Sequence, residues 1–309
     1  MRLHLAGADS VRNMVAALSG SLAADATKTP NLLTSYWYSK LKQGQKGNKE
    51  WCHLYDTLEA NWIIDSGLFT MMLCVGSNKI YTMADLMDYA EKYIRYLKQI
   101  RFRHAAVEMD VHKVLGLKAL AELRKYFEDN WPVEQTIYTW HIEEGIDGLH
   151  ELAKRYPYIA ISIPEIRKIA KERKRPLLMM VTNLLMHIKE AGGDDPPKVH
   201  MLGCTQPDLM FNNMYYSCDS KSWTAPQRWK RVQIFSGETF KAFDKDWGVF
   251  KKSVKTHEHF IKSYCEIAKH QHGVEHTFND HDVAAATLAC WYKRMELTIN
   301  KKYFGGTHK

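Results

Sequence analysis

No stretch of the 309 residues approaches the ~20 consecutive apolar positions that a membrane-spanning helix needs, so no membrane partner is expected. The opening Met1-Arg2-Leu3-His4-Leu5 lacks a charged segment followed by an apolar one, so no export signal is read and a cytoplasmic location is expected. Cysteine is sparse. The six, at positions 52, 74, 204, 218, 265 and 290, have no paired spacing, which excludes a disulfide framework and fits free thiols in a reducing compartment. Internal repeats and low-complexity segments are missing as well. What is present is ordinary for a globular chain with a sizeable core, 45% hydrophobic and 25% charged residues, and this excludes the disordered and collagen-like classes.

Charge carries more information. Lys and Arg number 43 against 35 Asp and Glu, a net charge of +8, and the pI is about 9.0. Such a field attracts polyanions, so nucleic acid is a candidate partner beside the plain alternative of solubility. The charges are also clustered. Residues 167–175 hold six basic side chains and one acid, with Arg173, Lys174 and Arg175 at the end of the run. Residues 230–309 hold fourteen Lys/Arg and nine Asp/Glu, besides seven histidines. Lys221, Arg228, Lys230 and Arg231 flank Trp223 and Trp229, an interleaving that suits contact with phosphates and stacked bases, although core packing accounts for most tryptophans.

The organisation is a short β-rich run ending in a polar or small residue, then a helical stretch. Expected strands are 2–6, 62–65, 105–110, 135–141, 158–163, 199–203, 215–219 and 232–235, several of them continuous apolar runs of the kind buried parallel strands show. Amphipathic stretches fall at 83–99, 117–128, 145–155 and 165–191, the last broken at Pro176. Eight strands alternating with helices predict an α/β fold, a (β/α)8 TIM-like barrel over residues 1–247. An open doubly wound sheet is the rival, but no Gly-x-Gly-x-x-Gly follows the first strand. Residues 248–309 read as a basic C-terminal extension of two helices, 250–271 and 281–299, docked on the barrel.

Asp65, Asp110, His141, Ser162, Gly203 and Asp219 each fall at or just beyond an expected C-terminal strand end. In a barrel those ends open on one face, where active sites are built. Any one aspartate there could simply cap a helix or close an Asx turn. Three together would repel one another and need an unusual proton affinity or a substrate to pair with. Several carboxylates with no phosphate loop or metal signature point to chemistry on a sugar or a base, with one carboxylate as nucleophile and another as acid/base. Cys204 and Cys218 also follow strand ends and, with His200 or His141 as activating base, form a weaker thiol-nucleophile alternative.

Four segments in order carry a resemblance: Ile63-Ile64-Asp65-Ser66-Gly67-Leu68-Phe69, Met109-Asp110, His200-Met201-Leu202-Gly203, and Tyr216-Ser217-Cys218-Asp219-Ser220. Together they resemble the tRNA-guanine transglycosylase superfamily over about residues 60–225. The opening Leu3–Ala6 and the Asp219-Ser220-Lys221-Ser222-Trp223 form of the last motif look closer to the phage and bacterial DNA 7-deazaguanine transglycosylases. The resemblance implies exchange of guanine for a 7-deazaguanine through a covalent glycosyl-enzyme, a phage role in restriction evasion, DNA as partner with tRNA the alternative, and no required cofactor. Carried over, Asp219 is the nucleophile and Asp65 the acid/base, while Asp110 accepts from the base's N1–H and amine. Phe69 and Leu202 sandwich the base. His141 takes the approximate place of the family's edge-reading glutamine, and Ser162 with Gly203 completes the base pocket.

The sequence also departs from the family. Leu68 stands for the motif's second glycine, Thr70 for its glutamine, and Ile161-Ser162-Ile163-Pro164 for a Gly-Gly stretch. The tRNA enzymes' Cys-x-Cys-x2-Cys zinc signature is absent. Cys265, His270, His272, His276 and His281 are irregularly spaced, so no structural zinc is expected and DNA is favoured over tRNA. A nucleoside or glycoside hydrolase using Asp65 and Asp219, and a non-catalytic nucleic-acid-binding barrel, remain as the other two classes.

Overall fold

Short, mostly buried strands alternate with longer amphipathic helices, and the strands close on themselves. A computed structural model describes residues 1–38, 59–68, 70–71, 80–225, 232–235, 240–243, 262, 266 and 280–305. The strands β1 (Arg2–Ala6), β2 (Asn31–Ser35), β3 (Asn61–Asp65), β4 (Ala105–Val107), β5 (Thr136–Trp140), β6 (Tyr158–Ser162), β7 (Lys198–Leu202) and β8 (Ser217–Ser220) form a closed barrel in chain order. The paired strands run parallel, with Leu5 opposite Leu32, Ile64 opposite Ala106, Trp140 opposite Ile161 and Leu3 opposite Cys218. The protein is therefore a (β/α)8 TIM-like barrel. Among the described residues no helix is long and apolar enough to cross a membrane.

The strand count agrees with the sequence pattern, but the membership differs at one place. Val232–Phe235 is not a barrel strand: as β9 it pairs antiparallel with β10 (Phe240–Phe243). The missing barrel strand is β2, whose Asn31-Leu32-Leu33-Thr34-Ser35 shows neither alternation nor a long apolar run. All five of its residues are nonetheless buried, because a parallel barrel strand is covered on both faces. Likewise β8 is fully buried while reading Ser-Cys-Asp-Ser.

After β1 comes α1 (Val11–Ala24), a helix of small residues with Ser10 as its N-cap, accepting from the Asn13 N–H. Next, α2 (Met83–Gln99) opens on a capping box between Thr82 and Asp85 and buries Leu86, Tyr89, Tyr93 and Leu97. In α3 (His112–Asn130) the helical dihedrals break at Gly116 (φ 81, ψ 179), which explains why the amphipathic period begins only at Leu117. Then follow α4 (Gly145–Arg155), α5 (Ile163–Glu172), α6 (Leu177–Gly192) and α7 (Pro207–Asn212), with the expected break at Pro176 between α5 and α6. The last helix is α8 (Asp280–Phe304). Of the expected helix 250–271, only Lys262 and Glu266 lie within the described residues, and both are helical.

The chain divides into two compact units, one of Met1–Leu33, Asp56–Asn61 and Gly203–Lys309, the other of Thr34–Tyr55 and Trp62–Leu202. In the first, α8 packs against α1 and β1. A Cβ added to Gly20 would stand 2.1 Å from the Ala286 carbonyl oxygen and 2.6 Å from the Ala289 Cβ, so the two helices meet almost backbone to backbone there. Buried Glu296 ties α8 to the strands: its Oε2 accepts from the Leu3 N–H and the Asn31 side-chain amide, both at 2.8 Å, and Lys293 Nζ lies 2.6 Å from Oε1. Each buried charge thus has a partner, the condition for tolerating it.

Candidate functional site

At the end of β3, Asp65 is half-buried and the chain turns sharply. Gly67 has φ +72, and a Cβ on it would stand 2.2 Å from Ser35 Oγ and 2.6 Å from the Trp37 Cβ, so only glycine fits this turn. Two tyrosines of α2 fix it from behind. Tyr89 donates its hydroxyl to the Ser66 carbonyl (2.7 Å), and Tyr93 donates to the carbonyls of Ile64 (2.8 Å) and Val107 (3.3 Å), joining β3 to β4. Phe69 lies outside the described residues.

The ends of β4 and β5 build a second group. His112 Nδ1 lies 2.8 Å and His141 Nε2 2.9 Å from the same oxygen, Asp110 Oδ1. The two imidazoles stack, with ring centroids 3.6 Å apart and planes at 21°. Asp110 forms the open side, 44% exposed, while the His112 and His141 side chains are 2% and 0% exposed and form the floor. Desolvation opposes ionisation of Asp110, but the His112 and His141 rings outweigh it and hold the carboxyl well below the usual range. Among the described residues these three are the group of His, Cys, Asp or Glu side chains placed to hold a metal ion, their ligand atoms all lying within 4.8 Å of one another.

Behind this group sits an arginine clamp. Arg124 Nε lies 3.0 and 3.1 Å from the two oxygens of Glu108, which is 1% exposed. Its Nη1 donates to Glu144 Oε1 (2.5 Å), and Nη2 donates to the Thr139 carbonyl (2.6 Å). Glu108 Oε1 also accepts from the Thr139 N–H (2.8 Å), and Glu144 Oε2 from the His141 N–H (2.9 Å). Glu108 is two residues before Asp110 and Glu144 three after His141, so the clamp fixes both loops that carry the group. Burial pushes the Glu108 carboxyl up to about 7 against the opposing pull of Arg124; burial works to lower the Arg124 guanidinium, but Glu108 and Glu144 together outweigh it and raise it.

Between the end of β7 and β8, the Gly203 N–H donates to Asp219 Oδ1 at 2.9 Å. Gly203 has φ +64, the left-handed turn that aims this N–H at the carboxylate. Asp219 is 9% exposed and lies beside His4 of β1 in register. The structure thus joins Gly203 to Asp219 and Asp110 to His141, two pairs named from sequence. Leu202 is half-buried at the end of β7, and Ser162, also half-buried, precedes α5 as its N-cap without a side-chain capping bond.

Other expectations fare differently. Cys204 and Cys218 are fully buried, and burial followed by the neighbouring Cys204 pushes the Cys218 thiol well above its ordinary value, so it is no ready thiolate. Trp223 is also fully buried and donates its indole N–H to the Ala6 carbonyl (2.8 Å), which makes it core rather than a stacking platform. Lys221 Nζ lies 3.9 Å from Asp9, and Arg173, Lys174 and Arg175 are exposed in the turn between α5 and α6. Arg228, Lys230, Arg231, Trp229, Cys265, His270, His272 and His276 lie outside the described residues, as does the side chain of His281. His112, Arg124 and Glu108 were not named from sequence. The Asp-x-His pair after β4, with a histidine ending β5, is the signal that marks His112. No family model, curated protein or solved structure matches the chain.

Proposed function

We propose that the chain is a base-exchanging transglycosylase that replaces guanine in DNA with a 7-deazaguanine such as 7-cyano-7-deazaguanine. The reading is supported by the hydrogen bond from Gly203 to Asp219, which joins two of the segments that resemble the transglycosylases and orients the carboxylate they imply as nucleophile. An Asp219 oxygen attacks C1′ as the C1′–N9 bond breaks, and guanine leaves with a proton from Asp65. The incoming base returns a proton to Asp65 and its N9 displaces Asp219 from C1′, so charge and atoms balance without a cofactor. Asp110, ionised and open to solvent, accepts from the N1–H and amine edge of the base.

The test offers radiolabelled guanine or 7-cyano-7-deazaguanine with duplex DNA, single-stranded DNA and tRNA as acceptors. Label entering DNA, and lost in Asp219→Ala while nucleic-acid binding persists, supports the proposal. Label confined to tRNA moves the activity to the RNA branch. Release of guanine without incorporation makes the chain a hydrolase.

A further inference from the structure

We propose that Asp110, His112 and His141 bind one divalent first-row transition-metal ion at the ends of β4 and β5. The inference goes beyond the transglycosylase reading and does not rest on it.

Two buried imidazoles present one nitrogen each to a single carboxylate oxygen, at 2.8 and 2.9 Å. These separations are of hydrogen-bond length, yet neither ring of His112 or His141 makes an aligned hydrogen bond through either nitrogen. Buried polar atoms left in this way are costly, and an ion that takes the lone pairs of His112 Nδ1 and His141 Nε2, the two nitrogens facing Asp110, satisfies one nitrogen of each ring. Bonds of about 2.0–2.1 Å meeting near a right angle place neighbouring ligand atoms about 2.9 Å apart, the spacing seen around Asp110 Oδ1.

The surroundings fit the same reading. Metal-bound imidazoles are commonly oriented by a carboxylate or carbonyl behind them. Glu143 Oε2 lies 3.5 Å from His112 Nε2, the ring atom turned away from Asp110. Glu144 holds the His141 backbone, and Arg124 holds Glu144. The stacked rings fix the direction of both donors, and the exposed Asp110 leaves an entry path. Two imidazoles and one carboxylate without thiolate select Zn2+, Co2+, Ni2+ or Fe2+ over Mg2+ and Ca2+, which prefer oxygen-only ligands. Three protein ligands leave coordination positions open.

The full chain, stripped with a chelator, is titrated with Co2+ and with Zn2+ alone, with no base or nucleic acid present, and followed by calorimetry and the visible spectrum of Co2+. One saturable ion per chain is expected, with affinity lower by more than about tenfold in Asp110→Asn and in His112→Gln. Cu2+ loaded into the parent should show magnetic coupling to two imidazole nitrogens, a readout that needs no variant to fold. Absence of saturable binding, coupling to fewer than two imidazoles, or full affinity in both variants overturns the proposal. Because neither base nor DNA is present, metal binding without base exchange refutes only the transglycosylase reading, and exchange without metal binding refutes only this one.

Discussion

Replacing Arg124 by methionine removes every partner of the Glu108 carboxylate except the Thr139 N–H. Glu108 is 1% exposed, so the variant must bury an unpaired charge or take up a proton. Breaking a buried pair in this way costs about 3–5 kcal/mol. That is a large share of the roughly 5–15 kcal/mol that holds a domain folded. The double variant Arg124→Met with Glu108→Gln should recover part of the loss, because an amide oxygen still accepts from Thr139 and position 108 no longer carries a charge, while Glu144 loses Arg124 and keeps the His141 N–H. The coupling between the two substitutions should therefore reach about 2 kcal/mol, within the range seen for residues in one network. Urea denaturation of the parent, both single variants and the double variant measures it. A single Arg124→Met that costs less than about 1 kcal/mol, or two losses that simply add, would refute the clamp as the support of the Asp110 and His141 loops.

Two further expectations concern stability. Gly20→Ala should lower the melting temperature by the equivalent of about 1–3 kcal/mol, because its methyl meets the Ala286 carbonyl rather than a side chain that can move. A parent-like melt would mean that α1 and α8 do not approach as described. Glu108 supplies a pH slope: its carboxyl is raised from 4.5 to about 7 by burial, so between those values the folded chain keeps a proton that the unfolded chain has released. Its contribution to stability is complete below about 4.5 and falls as pH rises towards about 7, and Glu108→Gln should flatten the slope measured across that window.

The barrel was legible because its strands are short buried runs at regular intervals, and β1 and α2 fall at the bounds the pattern gives. Misassigning Val232–Phe235 and overlooking β2 has one cause. Pattern reports local apolarity, whereas Asn31–Ser35 is a strand because its neighbours bury it on both faces. The site was half legible in the same sense. Asp65, Asp110, His141 and Asp219 follow from their positions at strand ends, but Arg124 lies in the middle of α3 and reads as one more basic helix residue. Its role exists only through Glu108, Glu144 and Thr139, sixteen or more positions away in the case of the two glutamates. His112 was hidden by Gly116, which ends the short first turn of α3 before the amphipathic period begins.

The most direct test of the central claim is peptide mapping of the chain quenched during turnover with DNA and 7-cyano-7-deazaguanine. The account predicts a base-less deoxyribose of the DNA strand joined through C1′ to the peptide that contains Asp219, and no such adduct in Asp219→Ala. Base exchange with no adduct, or with the adduct on another carboxylate, would contradict it.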